Sequence, residues 1–143
     1  MQRTFHALEG GTIKRVSTLS IGIGTLLALV SIATHAQDAA DLAGLGKKLA
    51  ANNCAVCHTF GKDEPNGQGP NLFGIVGRPM AAQPGFKYSA GMKAAASGKV
   101  WDEKLLDAWL ADTQTVAAGN AMTYFEGDEA RRRKIIAYLN TLH

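Results

Sequence analysis

The stretch NNCAVCHTF, residues 52–60, holds both cysteines of the chain, Cys54 and Cys57, with His58 directly after the second. Two thiols separated by two residues and followed by an imidazole have a specific mechanical use. The thiols can add to the two vinyl groups of a haem, and the adjacent histidine reaches the iron as an axial ligand. Rival readings are weaker. A thioredoxin-like redox pair needs a βαβ setting, and no strand pattern surrounds this one. A zinc site needs two further Cys or His ligands. The other histidines are His6, His35 and His143, two in the N-terminal segment and one at the last position. A disulfide closing so short a loop would stabilise little.

N-terminal to this stretch the chain changes character. Residues 1–15 carry Arg3, Lys14 and Arg15, and residues 16–33 (VSTLSIGIGTLLALVSIA) carry no charge. Thr34, His35 and Ala36 follow, with small residues at the positions a signal peptidase reads. A basic head, an apolar run and a small-residue exit describe an export signal. Cleavage after Ala36 is expected, leaving residues 37–143 as the folded domain. The alternative is an uncleaved anchor, since the 18-residue run approaches the roughly 20 residues of a spanning helix. Export to the periplasm agrees with covalent use of the thiols, which an oxidising compartment would otherwise expose to oxidation. Removing residues 1–36 takes Lys plus Arg from 15 to 12 and Asp plus Glu from 12 to 11, so the net charge falls from +3 to +1. Nucleic-acid binding gains no support from so small a surplus.

The remainder reads as all-α. Leu42, Leu45 and Leu49 repeat at helical spacing and predict a helix over residues 41–53, with Asp41 as its cap. A short helix is expected near residues 90–96. A third is expected over residues 102–111, with Leu105, Leu106, Trp109 and Leu110 inward. The last is expected over residues 128–142, capped by Asp128 and striped by Ile135, Tyr138, Leu139 and Leu142. Between Cys57 and Trp101 lies a glycine-rich stretch without periodicity. So long a structureless segment in a compact domain needs something to wrap around, and a large rigid prosthetic group meets that need.

The other face of the iron could be held by a methionine, another histidine, a lysine or nothing. Histidine is nearly exhausted, and the methionines beyond the start are Met80, Met92 and Met122. The bland role of any methionine is to fill a core, and it is expected for Met80 and Met92. Met122 lies in the uncharged loop AAGNAMTYF, which could lie across a porphyrin face. Spacing alone makes it only the favourite.

From about Gly46 to Leu142 the chain resembles the class I cytochromes c, the small monohaem electron carriers of mitochondrial type. The resemblance rests on CAVCH, GPNLFGIVGR (residues 69–78), PGFKYS (residues 84–89), Trp101, LLDAWL, GNAM (residues 119–122) and IIAYL (residues 135–139). It implies a small all-α fold of about four helices with long loops around one covalently attached haem c. It also implies His58 and Met122 as the iron ligands, and Pro70 as the residue whose carbonyl accepts the N–H of His58. Arg78, Tyr88 and Trp101 match residues that contact the haem propionates, and Asn120, standing where threonine is usual, could still donate to one. Trp109 is expected to pack. Gly46 and Tyr138 match the crossing of the first and last helices.

The departures carry expectations too. Ala50 stands where the family puts a large aromatic, so the helix crossing is expected to be underfilled, or filled by Tyr124 or Phe125. Thr113 and Ala118 replace two prolines, so the Met122 loop is expected to be less restrained and its ligand more easily lost. Asn53, Gln114, Thr115 and Ala121 stand where lysines are common, leaving Lys47, Lys48, Lys62 and Lys87, while RRRK at residues 131–134 reads as a solvated helix face.

The implied function is that of a periplasmic one-electron carrier between transient redox partners, a monomer with no catalytic residue. The alternatives are an electron-transfer subunit of a periplasmic dehydrogenase or oxidase, and a haem enzyme or gas sensor with a labile sixth ligand.

Overall fold

The structure is a computed structural model that describes the backbone of residues 22–143 and the side chains of residues 38–143. The export-signal reading falls on residues 1–36 and so lies outside the described side chains, with residues 1–21 outside the description altogether. Contacts divide the chain into two units, Met1–Thr34 and His35–His143. In the first, the backbone from Gly22 onward is α-helical. The second contains the features discussed below.

Five helices follow in chain order: α1 (Gly22–Asn53), α2 (Ala90–Ala95), α3 (Glu103–Ala111), α4 (Thr113–Val116) and α5 (Glu129–Leu139). Local chemistry sets most of their starts. The Asp102 side chain accepts from Leu105 N at 2.7 Å and begins α3. Asp128 accepts from Ala130 N at 2.8 Å and begins α5. Ser89 caps α2 and Asp112 caps α4 in the same manner. Among the described residues the single β feature is an isolated antiparallel bridge, Pro79 to Val100. It closes the glycine-rich segment back on itself, with Trp101 N donating to Arg78 O at 3.0 Å and Met80 N to Lys99 O at 2.9 Å.

The core gathers on α3 and α5. Leu106, Trp109 and Leu110 from α3 meet Ile135, Ile136 and Leu139 from α5. Trp101 stands edge-on to Trp109, ring centroids 5.5 Å apart. Met80 and Met92 are buried in the same cluster. Arg132 forks onto Asp107, with Nε to Oδ1 at 2.7 Å and Nη2 to Oδ2 at 3.3 Å, and fastens α5 to α3 from outside.

The first helix departs from its apolar pattern. Leu42 and Leu45 are 40% and 46% exposed, and the buried positions are Gly46 and Ala50. Asp41 lies inside α1 and caps nothing there. The reason is the crossing with α5. A Cβ built on Gly46 would land on the Lys134 carbonyl oxygen and stand 2.9 Å from Tyr138 Cβ. Backbones this close leave no room for leucine, so the smallest residues take the seam. Beside the crossing the ring of Phe60 meets Tyr138 at 5.6 Å, Tyr124 packs against the core, and Phe125 is 74% exposed.

Gly46→Ala should therefore lower the unfolding free energy by about 1–3 kcal/mol. Gly44→Ala, whose Cβ would meet nothing within 4 Å, should raise it by up to about 1 kcal/mol through helix propensity. Paired denaturant unfolding curves measure both, and equal responses would remove the crossing argument.

Candidate functional site

The end of α1 delivers the cysteines as one tight turn. Cys54 N and Ala55 N both donate to Ala50 O, at 2.8 and 3.0 Å. Cys57 N and His58 N then both donate to Cys54 O, at 3.0 and 2.9 Å. The two thiols are free and partly buried. Burial pushes the Cys54 thiol up to about 11, and the neighbouring Cys57 adds to the effect. Cys57 donates its S–H to Gln68 Oε1 at 3.2 Å. Cys54 is thus set up as an uncharged group, the state it would keep in a thioether.

His58 is fixed from behind. Its Nδ1 lies 2.7 Å from Pro70 O. A carbonyl only accepts, so the proton is on Nδ1 and the lone pair is on Nε2. Burial holds the imidazole pKa below its ordinary value, with the Pro70 bond opposing. The ring is therefore neutral at pH 7, as a metal-ligating nitrogen must be. Gly69 leaves the space the ring occupies, since a Cβ there would overlap the imidazole itself.

Asn71, which the motif reading passed over, anchors this arrangement. It is buried, and its Nδ2 donates to Thr59 Oγ1, Gly61 O and Glu64 O at 2.9, 2.9 and 3.1 Å. Its Oδ1 accepts from Phe73 N at 2.7 Å, and its own N–H donates to Asn66 Oδ1 at 2.8 Å. The peptide that follows Pro70 is thereby locked to the loop that follows His58. The available signal was an asparagine after proline in a turn-rich stretch, a residue type that binds backbone groups locally.

The other predicted residues fall in two groups. Arg78 Nη2 donates to Asn71 O at 3.0 Å, and Arg78 shares backbone bonding with Trp101. Burial lowers the Arg78 pKa, with the neighbouring Tyr88 opposing. None of the ion pairs among the described residues involves Arg78. Tyr88 packs edge-on against Phe86 at 4.8 Å, and its hydroxyl accepts from Gln83 N at 3.2 Å.

In the second group, Met122 is partly buried against the core. Asn120 is buried, and both its amide hydrogens stay within the loop, donated to Ala117 O at 2.8 Å and Thr113 O at 3.0 Å. Its Oδ1 accepts from Met122 N at 2.8 Å. In this structure the Asn120 side chain thus braces the loop. The expected looseness of that loop needs correction, because Thr113, standing where proline was anticipated, donates its hydroxyl to Met122 O at 2.7 Å.

These residues fit a covalently attached haem. Two free thiols lie in one turn beside a neutral imidazole with a free Nε2. The half-buried Arg78 cation has no carboxylate among the described residues and calls for an anionic partner, as a propionate would be. No cluster of three or more His, Cys, Asp or Glu among the described residues could hold a bare ion.

Comparison with known proteins agrees. The cytochrome c family model matches residues 43–143. Over 96 residues the chain is 41% identical to a cytochrome c homolog of Bradyrhizobium diazoefficiens, covering 65% of this chain and 50% of that protein. Over 101 residues it is 39% identical to cytochrome c-550 of Novispirillum itersonii, covering 64% of this chain and 91% of that one. The match thus spans half the length of the first relative and nearly all of the second. The solved structure of cytochrome cH from Methylobacterium extorquens superimposes with a TM-score of 0.63 at 36% identity, covering 69% of this chain and 97% of that one. The free thiols, the oriented histidine and the helical fold therefore have one explanation: this chain belongs to the cytochrome c family, with the covalently attached haem c that membership implies.

Proposed function

We propose that this chain is an exported one-electron carrier whose haem is bonded to Cys54 and Cys57, with the iron held between His58 and Met122. A bound haem supplies exchange of a single electron between ferrous and ferric iron. The residues around it hold, orient and shield. Pro70 fixes the His58 tautomer and raises the donor strength of Nε2. The Met122 thioether is a soft donor that favours the reduced metal. Arg78 and Trp101 are the candidate partners for the propionates, with Tyr88 alongside. No side chain is assigned as acid, base or nucleophile. The observation that carries the reading is the neutral His58, proton fixed at Nδ1, immediately after two free thiols.

Export to the periplasm rests on residues 1–36, read as a signal peptide ahead of a domain over residues 37–143. No helix among the described residues is long and apolar enough to cross a membrane.

Contact with redox partners should depend little on charge. The surface near the cysteines offers Asn53 and the 80% exposed Val56. The strongest basic run is largely neutralised within the molecule: Arg131 pairs with Glu126, Arg132 with Asp107 and Arg133 with Glu129, at 2.7, 2.7 and 2.8 Å. Weak and brief contacts suit a carrier that must also leave.

Two results are expected. Met122→Ala should abolish the weak absorption band of methionine–iron ligation in the oxidised protein and lower the reduction potential, and a retained band would overturn the assignment of Met122. The bimolecular rate constant with an acidic redox partner should change less than about tenfold between low and physiological salt. A steeper fall, measured by stopped flow, would show a charged docking face.

A further inference from the structure

The loop that carries Met122 is fastened by side chains in a way that the absence of proline alone would not foretell. Thr113 is fully buried at the start of α4. Its N–H donates to Tyr124 O at 3.2 Å, its Oγ1 accepts from Tyr124 N at 3.2 Å, and its hydroxyl hydrogen goes to Met122 O at 2.7 Å. Gln114 adds Nε2 contacts to Met122 O at 3.1 Å and Asn120 O at 3.2 Å, while its Oε1 accepts from Gly119 N at 3.1 Å. With Asn120 on the Met122 N–H, both backbone polar groups of Met122 are held by side chains from positions 113, 114 and 120.

We propose that Thr113, seconded by Gln114, is a positioning clasp that sets how readily the Met122 side chain leaves the iron. The inference rests on the reading of Met122 as a ligand. For the thioether to swing away, the backbone at Met122 must shift. That shift breaks a 2.7 Å bond to a hydroxyl which water cannot reach, and the hydroxyl's only other acceptor, Tyr124 O, lies at a longer 3.4 Å. A proline restrains a loop by narrowing its dihedral choices. The clasp restrains this one by bonds that form only when Met122 is in place, and it therefore acts on the bound geometry itself. Thr113 touches neither iron nor porphyrin in this scheme, and its effect passes entirely through Met122.

The test uses the oxidised holoprotein and imidazole, a nitrogen ligand that competes with the thioether for iron. Thr113→Val keeps the shape and removes the hydroxyl, while Thr113→Ser keeps the hydroxyl. Optical titration should show Thr113→Val binding imidazole roughly 3- to 10-fold more tightly than the parent, as loss of one such hydrogen bond predicts. Thr113→Ser should remain near the parent value. A merely structural role would move the denaturant midpoint of Thr113→Val and leave its imidazole affinity unchanged, and that result overturns the clasp. Should Thr113→Val fail to mature, Gln114→Ala, which removes the second donor to Met122 O, must show tighter imidazole binding; an unchanged affinity overturns the clasp equally. Met122→Ala separates the two readings. If it keeps the methionine–iron band, the ligand assignment falls and takes the clasp with it. If it loses the band while Thr113→Val matches the parent, the clasp alone fails.

Discussion

One carbonyl oxygen governs the site. Pro70 O takes the proton-bearing nitrogen of His58 and leaves Nε2 as the free donor. Without an acceptor behind it, a half-buried imidazole could turn or exchange tautomers, and the nitrogen presented to the metal would no longer be defined. Everything nearby keeps that carbonyl in register. Gly69 gives the ring its space, Asn71 ties the peptide after Pro70 to the loop after His58, and Arg78 is hung on the Asn71 carbonyl.

The buried polar side chains of the described residues are Asn71, Thr113 and Asn120. Each lies in a segment that carries a proposed iron ligand or its immediate support, and each is fully used in hydrogen bonding. A buried polar group left unpaired costs about 1–3 kcal/mol, and no buried side-chain nitrogen or oxygen among the described residues lacks a partner. Polar burial here follows the ligands. The apolar core, by contrast, sits on α3 and α5 and gives the loops a fixed platform. The long segment from His58 to Trp101 has little regular structure of its own, which is the expected state of a chain that encloses a prosthetic group in place of side chains.

What could be read from the sequence was whatever is decided locally. The CxxCH turn, the end of α1 at Asn53, the aspartate cap of α5 and the places of α2 and α3 depend on a few neighbouring residues. What could not be read depends on a partner far along the chain. Leu42 and Leu45 have the right spacing for a buried face, yet the seam with α5 admits only Gly46 and Ala50 because the backbones nearly touch. Phe60 meets Tyr138 from a loop with no periodicity to reveal it. Thr113 looked like the loss of a proline restraint. Its hydroxyl replaces that restraint with a bond to a residue nine positions on. The short helix α4 was missed because four residues carry no period. The bracing of the loop by Asn120, through Thr113 O and Ala117 O, also depends on positions several residues away.

The central claim is that a porphyrin bonded through Cys54 and Cys57 completes this chain after the leader is removed. The most direct measurement is the intact mass of protein matured in an export-competent host and then denatured in acid. The account predicts residues 37–143 plus one haem, with the colour staying on the polypeptide. A mass equal to the bare polypeptide, with any haem washed away on denaturation, would contradict it.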